Sequence, residues 1–399
     1  MKPTVIYIAG FRQHAGKTVT SLGILSLLLK KFDPRELGYI KPVGQELVQL
    51  PDGSKIDKDA RIIEKFAGIP DLEMKYVSPV RLGSGFTKAF LASDDQGKRM
   101  EDLSGSIEEA FESMAHKKVI VAEGTGHPGV GGIVGLSNAD VCRQFGFDII
   151  YLSGGGIGKA LDMLEVDLSY FAYKGANVRG IIFNKLIPSK VETVKTFITE
   201  PLINQRFKFQ DDPIRVLGYL PEIENLYKPS MRVLVDRFHD PEKIGDIDDE
   251  QWKIPAKDIK VISITLEYLH LERYVETRDL VIIGGASDDR LARLIDYHLL
   301  LLSSCDEEDE ECFGNSGLAG IIISCGDTTT ISSETKERIL EAGVPALFVS
   351  EDTAKTEKII LKAFENTKMQ LYDTIKHDEI VSLFEEHFEY DKFLECFGL

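Results

Sequence analysis

Short apolar runs rich in Val and Ile recur along the chain, separated by longer stretches whose apolar residues return every three or four positions. The runs at 5–9, 37–40, 119–122, 148–152, 178–183 and 215–219 are continuous rather than alternating in polarity. Continuous runs of this kind predict strands of a parallel sheet buried on both faces. Between them, 17–30, 57–66, 107–115, 137–145, 159–173 and 189–198 carry the helical pattern. The alternation predicts an α/β fold with a doubly wound, mostly parallel sheet.

From Pro221 to about Asp258 the pattern fades, with Pro229, Pro241 and Pro255 interrupting it and 246–250 acidic and polar. A connector holding one helix near 231–238 is expected there. A second series follows, with strands expected at 279–283, 318–324 and 346–350 and helices at 288–302, 333–342 and 355–364. One more helix is expected at 378–388. The expected domains are 1–228, a connector at 229–258, and a second, smaller α/β domain at 259–399.

Charge narrows the function. Across 399 residues, 65 acidic against 47 basic side chains give a formal net charge of −18. Such a surface repels phosphate backbones, which argues against nucleic-acid binding yet allows a small anion in one locally positive pocket. No apolar run is long enough to cross a bilayer, and the opening MKPTVIYIAG lacks the apolar core of a signal peptide. The five cysteines (Cys142, Cys305, Cys312, Cys325 and Cys396) form no C-x-x-C pair. A reduced, cytoplasmic protein without membrane contact is expected.

The candidate chemistry begins at the first strand. Gly10-Phe-Arg-Gln-His-Ala-Gly16-Lys17-Thr18 stands between an apolar strand and a helical pattern, the context a P-loop requires. Glycines let the loop turn sharply and aim backbone N–H groups at phosphate oxygens, and the helix start adds its positive dipole end. Lys17 then reaches the β- and γ-phosphates of a nucleotide and the Thr18 hydroxyl ligates Mg²⁺. Five residues separate Gly10 from Gly16 where four are usual.

A second apolar strand ends in Glu123, followed by Gly124-Thr-Gly126. An acidic residue at such a strand end helps hold Mg²⁺ in P-loop proteins, and open α/β sheets gather ligands outside the carboxyl ends of their strands. Alone it reads as a solvated turn carboxylate; paired with the P-loop it reads as a metal ligand. Lys41, in Gly38-Tyr-Ile-Lys41-Pro-Val, either adds positive charge to the same site or is a surface lysine before a rigid proline.

These residues together resemble dethiobiotin synthetase. The five-residue loop spacing, the Gly-Tyr-x-Lys-Pro-Val and Glu-Gly-x-Gly segments, Asn184 in Ile181-Ile-Phe-Asn184-Lys, and Val216-Leu-Gly-Tyr-Leu-Pro221 follow in the right order over residues 4 to 225. The resemblance implies that Lys17 and Thr18 bind ATP and Mg²⁺, and that Lys41 lies near the transferred phosphate. It further implies that Asp59 and Glu123 share the metal, that Asn184 recognises adenine, and that the protein is a homodimer. Asp57 competes with Asp59 for its role.

The second half, through 279–284, 320–326 and 343–353, resembles the DRTGG domain, although the name-giving pentad is not literally present. In long bacterial phosphate acetyltransferases that domain follows a dethiobiotin-synthetase-like domain and precedes the catalytic one. The resemblance implies a regulatory portion, not itself an acetyltransferase. Where dethiobiotin synthetase carries a Thr-rich loop and a hydroxyl after Lys-Pro-Val, this chain has Phe11-Arg12-Gln13-His14 and Gly44-Gln45-Glu46.

The leading expectation is therefore a Mg-ATP-binding, ATP-hydrolysing protein with a regulatory second domain. The alternatives are a ligase that activates a carboxylate or carbamate with ATP, and a sensor that binds ATP without turnover and signals to a partner enzyme. Three further segments stay open. His14 either acts on a phosphate or fills the loop, 154–158 is a turn into a helix, and 129–132 is a candidate loop over the site. The acidic run 306–311 reads as a solvated insertion.

Overall fold

The computed structural model describes residues 2–50, 53–262, 268–304, 317–326 and 331–399. The acidic run 306–311 and its flanking Cys305 and Cys312 lie outside the described residues. The chain forms two compact units, one of 1–222 with 377–399 and one of 223–376.

The first unit is a P-loop NTPase α/β fold. β1 (Thr4–Gly10) leads into α1 (Lys17–Leu28), β2 (Leu37–Ile40) and α2 (Lys58–Phe66). After these come β3 (Val119–Glu123), α3 (Asn138–Phe145), β4 (Asp148–Gly154), β5 (Asn177–Leu186) and β6 (Arg215–Pro221). The strands lie in the order β6-β5-β4-β1-β3-β2, and every neighbouring pair is parallel. β2 and β3 are buried at every position, as the unbroken apolar runs demand when helices cover both faces. β1 sits between β3 and β4, so the loop after β1 and the residue ending β3 meet at one edge.

The helix expected at 107–115 begins much earlier and runs Gln96–Ser113. Its first turns are polar and exposed, so they carry no apolar period, but the Asp95 side chain caps them by accepting from the Lys98 N–H at 3.1 Å. A short hairpin, Leu47–Gln49 with Lys55–Asp57, delivers Asp57 to the start of α2.

The C-terminal residues depart from the expected partition. The single helix expected at 378–388 is two helices, Thr374–His387 and Tyr390–Phe397, and 377–399 belongs to the first unit. Phe384, Phe388, Phe393 and Phe397 pack in succession with their rings tilted and centroids 5.3–5.5 Å apart. The Glu389 N–H donates to the Leu217 carbonyl of β6 at 2.8 Å. Gly23 of α1 makes room for Phe384, because a Cβ there would stand 2.1 Å from the ring.

The second unit holds β7 (Glu242–Ile244), β8 (Ile259–Ile262), β9 (Leu280–Gly284), β10 (Gly320–Ser324) and β11 (Ala346–Phe348). Their order is β7-β11-β10-β9-β8, parallel except for β7 against β11. The stretch expected to be a connector lies inside this unit. Met231, Leu234 and Trp252 are buried in one core cluster with Leu280, Ile282 and Ile322, so burial overrides the proline-broken pattern.

His298 is 1% exposed in the helix Asp288–Ser304, and its Nδ1 accepts from the Leu318 N–H at 3.0 Å. Burial lowers its pKa from 6.5 to about 4. The unfolded chain takes up this proton first, so the stability that the neutral ring contributes is complete above pH 6.5 and lost as pH falls toward 4. The full loss is expected to be about 3 kcal/mol. Urea unfolding between pH 7 and 4 should show this slope in the wild type and a shallower one in His298→Gln.

Candidate nucleotide and metal site

β1 ends at Gly10 and α1 begins at Lys17, with Gly16 capping the helix at φ 94. A Cβ on Gly16 would stand 2.3 Å from Asn184 Nδ2, so only glycine satisfies both the left-handed turn and the close approach. His14 is also left-handed, at φ 61. No side chain caps α1, which leaves its first N–H groups for an anion held by the loop.

Lys17 is buried, and its Nζ donates to the carbonyls of Arg12 at 3.0 Å and Gly126 at 3.1 Å. Burial lowers the ammonium pKa from 10.5 to about 8, with nearby Glu123 pulling the other way. The lysine thus spans from the P-loop to the turn after β3.

Glu123 is fully buried, which corrects the reading of a solvated turn carboxylate. It accepts from Thr18 Oγ1 at 2.9 Å, Ser21 Oγ at 3.1 Å, Tyr39 OH at 2.9 Å and Lys41 Nζ at 3.2 Å. Two periodicities make this cluster. Thr18 and Ser21, three apart on α1, share a helix face, while Tyr39 and Lys41, two apart along β2 and its continuation, point to one side. Tyr39 and Ser21 were missed by the sequence reading, although those spacings relative to Lys41 and Thr18 carried the signal.

Lys41 is buried too, so it is no surface lysine. Its Nζ lies 3.1 Å from Asp57 Oδ1 and 3.2 Å from Glu123 Oε1, and it hydrogen-bonds Asp59 Oδ2. Burial works against its charge, but Asp59, Glu123 and Asp57 outweigh it and hold the pKa well above the ordinary lysine value. Asp57 and Asp59 both reach the site in different states of anchorage. Asp57 caps α2 and accepts from the backbone N–H groups of Asp59, Gln45 and Glu46 at 3.0, 2.9 and 3.2 Å. The Asp59 side chain is 32% exposed.

Asn184, at the end of β5, donates from Nδ2 to the Ala15 carbonyl at 3.0 Å and accepts from the Lys185 N–H at 2.9 Å. It braces the P-loop from behind. Gly154 permits the same packing, since a Cβ there would meet the Asn184 carbonyl at 3.0 Å and the Phe11 ring at 3.1 Å. The 154–158 segment does turn into a helix, Ile157–Lys174.

Asn138, in the first turn of α3, escaped the sequence reading. Its Oδ1 accepts from Tyr7 OH at 2.8 Å and the Thr125 N–H at 3.0 Å, and its Nδ2 donates to the Thr125 and His127 carbonyls, both at 2.9 Å. One amide thereby fixes the turn that presents the Gly126 carbonyl to Lys17. At the rim, Gln13 Nε2 donates to Glu46 Oε1 at 2.8 Å.

The donor set suits a hard divalent cation, since Thr18, Asp59 and Glu123 supply oxygen alone. In the present arrangement those oxygens are engaged by Lys41 and by one another.

A family model described as an AAA domain matches residues 4–230, the whole of the strand, loop and helix series that builds this site. The chain belongs to that family and is a P-loop nucleotide-binding protein. No curated protein matches the sequence significantly. Among solved structures, the chain is similar to the CBS and DRTGG domains of the regulatory region of Clostridium perfringens pyrophosphatase, complexed with the activator diadenosine tetraphosphate. Identity is 14% over 49% of this chain and 69% of that one, with a TM-score of 0.25. Among the described residues no helix is long and apolar enough to cross a membrane.

Proposed function

We propose that the chain binds Mg-ATP and hydrolyses it, with 223–376 acting as a DRTGG-like regulatory domain. The observation that carries this reading is the Glu123 cluster, in which the P-loop's Thr18 and the β2-end Lys41 converge on one buried carboxylate beside Lys17. A nucleotide's phosphates replace the Arg12 and Gly126 carbonyls as partners of Lys17. Thr18, Asp59 and Glu123 would hold Mg²⁺, which supplies charge neutralisation at the phosphates. Asn184 would border the base. The acidic rim at Glu46 favours water as the phosphoryl acceptor over an anionic carboxylate substrate, which weighs against the ligase reading.

The test is calorimetric titration of the full chain with Mg-ATP, followed by measurement of phosphate release. Micromolar affinity with steady release is expected. Absence of binding would end the proposal, and binding without release would replace it with a nucleotide sensor acting on a partner enzyme.

A further inference from the structure

We infer that Lys41 is an internal counter-ion standing in for the divalent cation, so that metal enters the site only as a nucleotide draws Lys41 away. This rests on the nucleotide reading above. Three carboxylates from three places in the chain converge on one buried ammonium: Asp57 before α2, Asp59 inside it and Glu123 at the end of β3. Asp57 is pinned by three backbone N–H groups and Glu123 by three hydroxyls, so neither swings away if the ammonium leaves. Without Lys41 the cluster is left with hard oxygens and uncompensated negative charge, which draw Mg²⁺ and Mn²⁺.

The shared atom makes the two cations rivals. Glu123 Oε1 accepts from both Thr18 and Lys41, and Asp59 Oδ2 bonds Lys41, so a metal held by Thr18, Asp59 and Glu123 must take oxygens that Lys41 now occupies. A terminal phosphate beside Lys17 offers the ammonium a new anionic partner, which frees those oxygens at the moment nucleotide arrives. Because coupling between two ligands is reciprocal, nucleotide then raises metal affinity as metal raises nucleotide affinity.

The test uses Mn²⁺ as the probe, with free Mn²⁺ followed by its electron paramagnetic resonance signal in full-length protein without nucleotide. Lys41→Met is expected to bind one Mn²⁺ at least about tenfold more tightly than wild type, a difference of roughly 1.4 kcal/mol. Adding Asp59→Asn to that variant should remove the gain. Equal Mn²⁺ affinity in wild type and Lys41→Met overturns the inference, as does a gain that survives Asp59→Asn. If Lys41→Met is unstable when metal-free, melting in millimolar Mn²⁺ decides. Restoration of the wild-type melting temperature supports the counter-ion role, and failure to restore it overturns that role. These arms contain no nucleotide, so a chain that failed to bind ATP would refute the proposed function without altering them.

Discussion

Lys17→Ala is expected to weaken ATP binding about a hundredfold, and to lower any phosphate release by on the order of 10²–10³, while leaving the melting temperature within a few degrees of wild type. The first two effects follow from removing charge-assisted bonds to phosphate, each about 1.5–3 kcal/mol, and a preorganised donor to the developing charge. The third follows from the energetics of the free protein. Burial has already lowered the Lys17 pKa to about 8, so the fold holds that ammonium at a cost its two carbonyl bonds do not fully offset. Alanine relieves the cost as it removes the bonds. The same value sets a pH dependence. Bound phosphates raise the lysine's pKa, so wild-type affinity should be fullest below pH 8 and decline as pH rises through it. Calorimetric titrations at pH 7 and 9, beside thermal melts of both proteins, check all of these. An alanine variant that binds ATP as wild type would mean the loop holds something else.

How far the chain's own sequence exposed this site depends on the kind of feature. Lys17 and Thr18 were legible because they open a strongly patterned helix after a Gly-bounded loop, whereas Lys41 and Glu123, at the ends of apolar strands, each kept a surface reading that only their burial removes. Asp57 and Asp59 were not separable, because their difference lies in whether backbone N–H groups surround the side chain, which the short hairpin before α2 decides. Asn138 was invisible for a related reason: its value is four hydrogen bonds to residues up to 131 positions away. The fold behaves alike. Continuous apolar strands announced the parallel sheet, yet nothing local tells that the aromatic positions 384, 388, 393 and 397 pack on the first unit. A helix pattern names the face that is buried and leaves its partner open. The stretch 229–258 shows the converse, since prolines broke its pattern while Met231, Leu234 and Trp252 still entered a core.

Glu123→Ala should be the most damaging single change in the first unit, costing about 3–5 kcal/mol of stability along with metal-dependent ATP binding. The carboxylate is completely buried and accepts four hydrogen bonds, so its loss strands the buried Tyr39 hydroxyl and takes the acceptor from the half-buried Thr18 hydroxyl. Each orphaned buried donor costs about 1–3 kcal/mol, although Ser21 keeps its bond to the Lys17 carbonyl at 3.0 Å. Lys41 fares better, because Asp57 and Asp59 remain beside it. The variant therefore separates two roles of one residue. If Glu123 serves the fold alone, Glu123→Gln, which keeps an oxygen acceptor for the hydroxyls, should restore stability and ATP binding together. If it also serves the cation, Glu123→Gln should regain much of the stability yet still bind ATP no more tightly with Mg²⁺ than without it. Urea denaturation of the three proteins, paired with ATP titrations in Mg²⁺ and in chelator, distinguishes these. Recovery of both properties by glutamine would remove Glu123 from the metal site and leave it as the buried post on which α1 and β2 are hung.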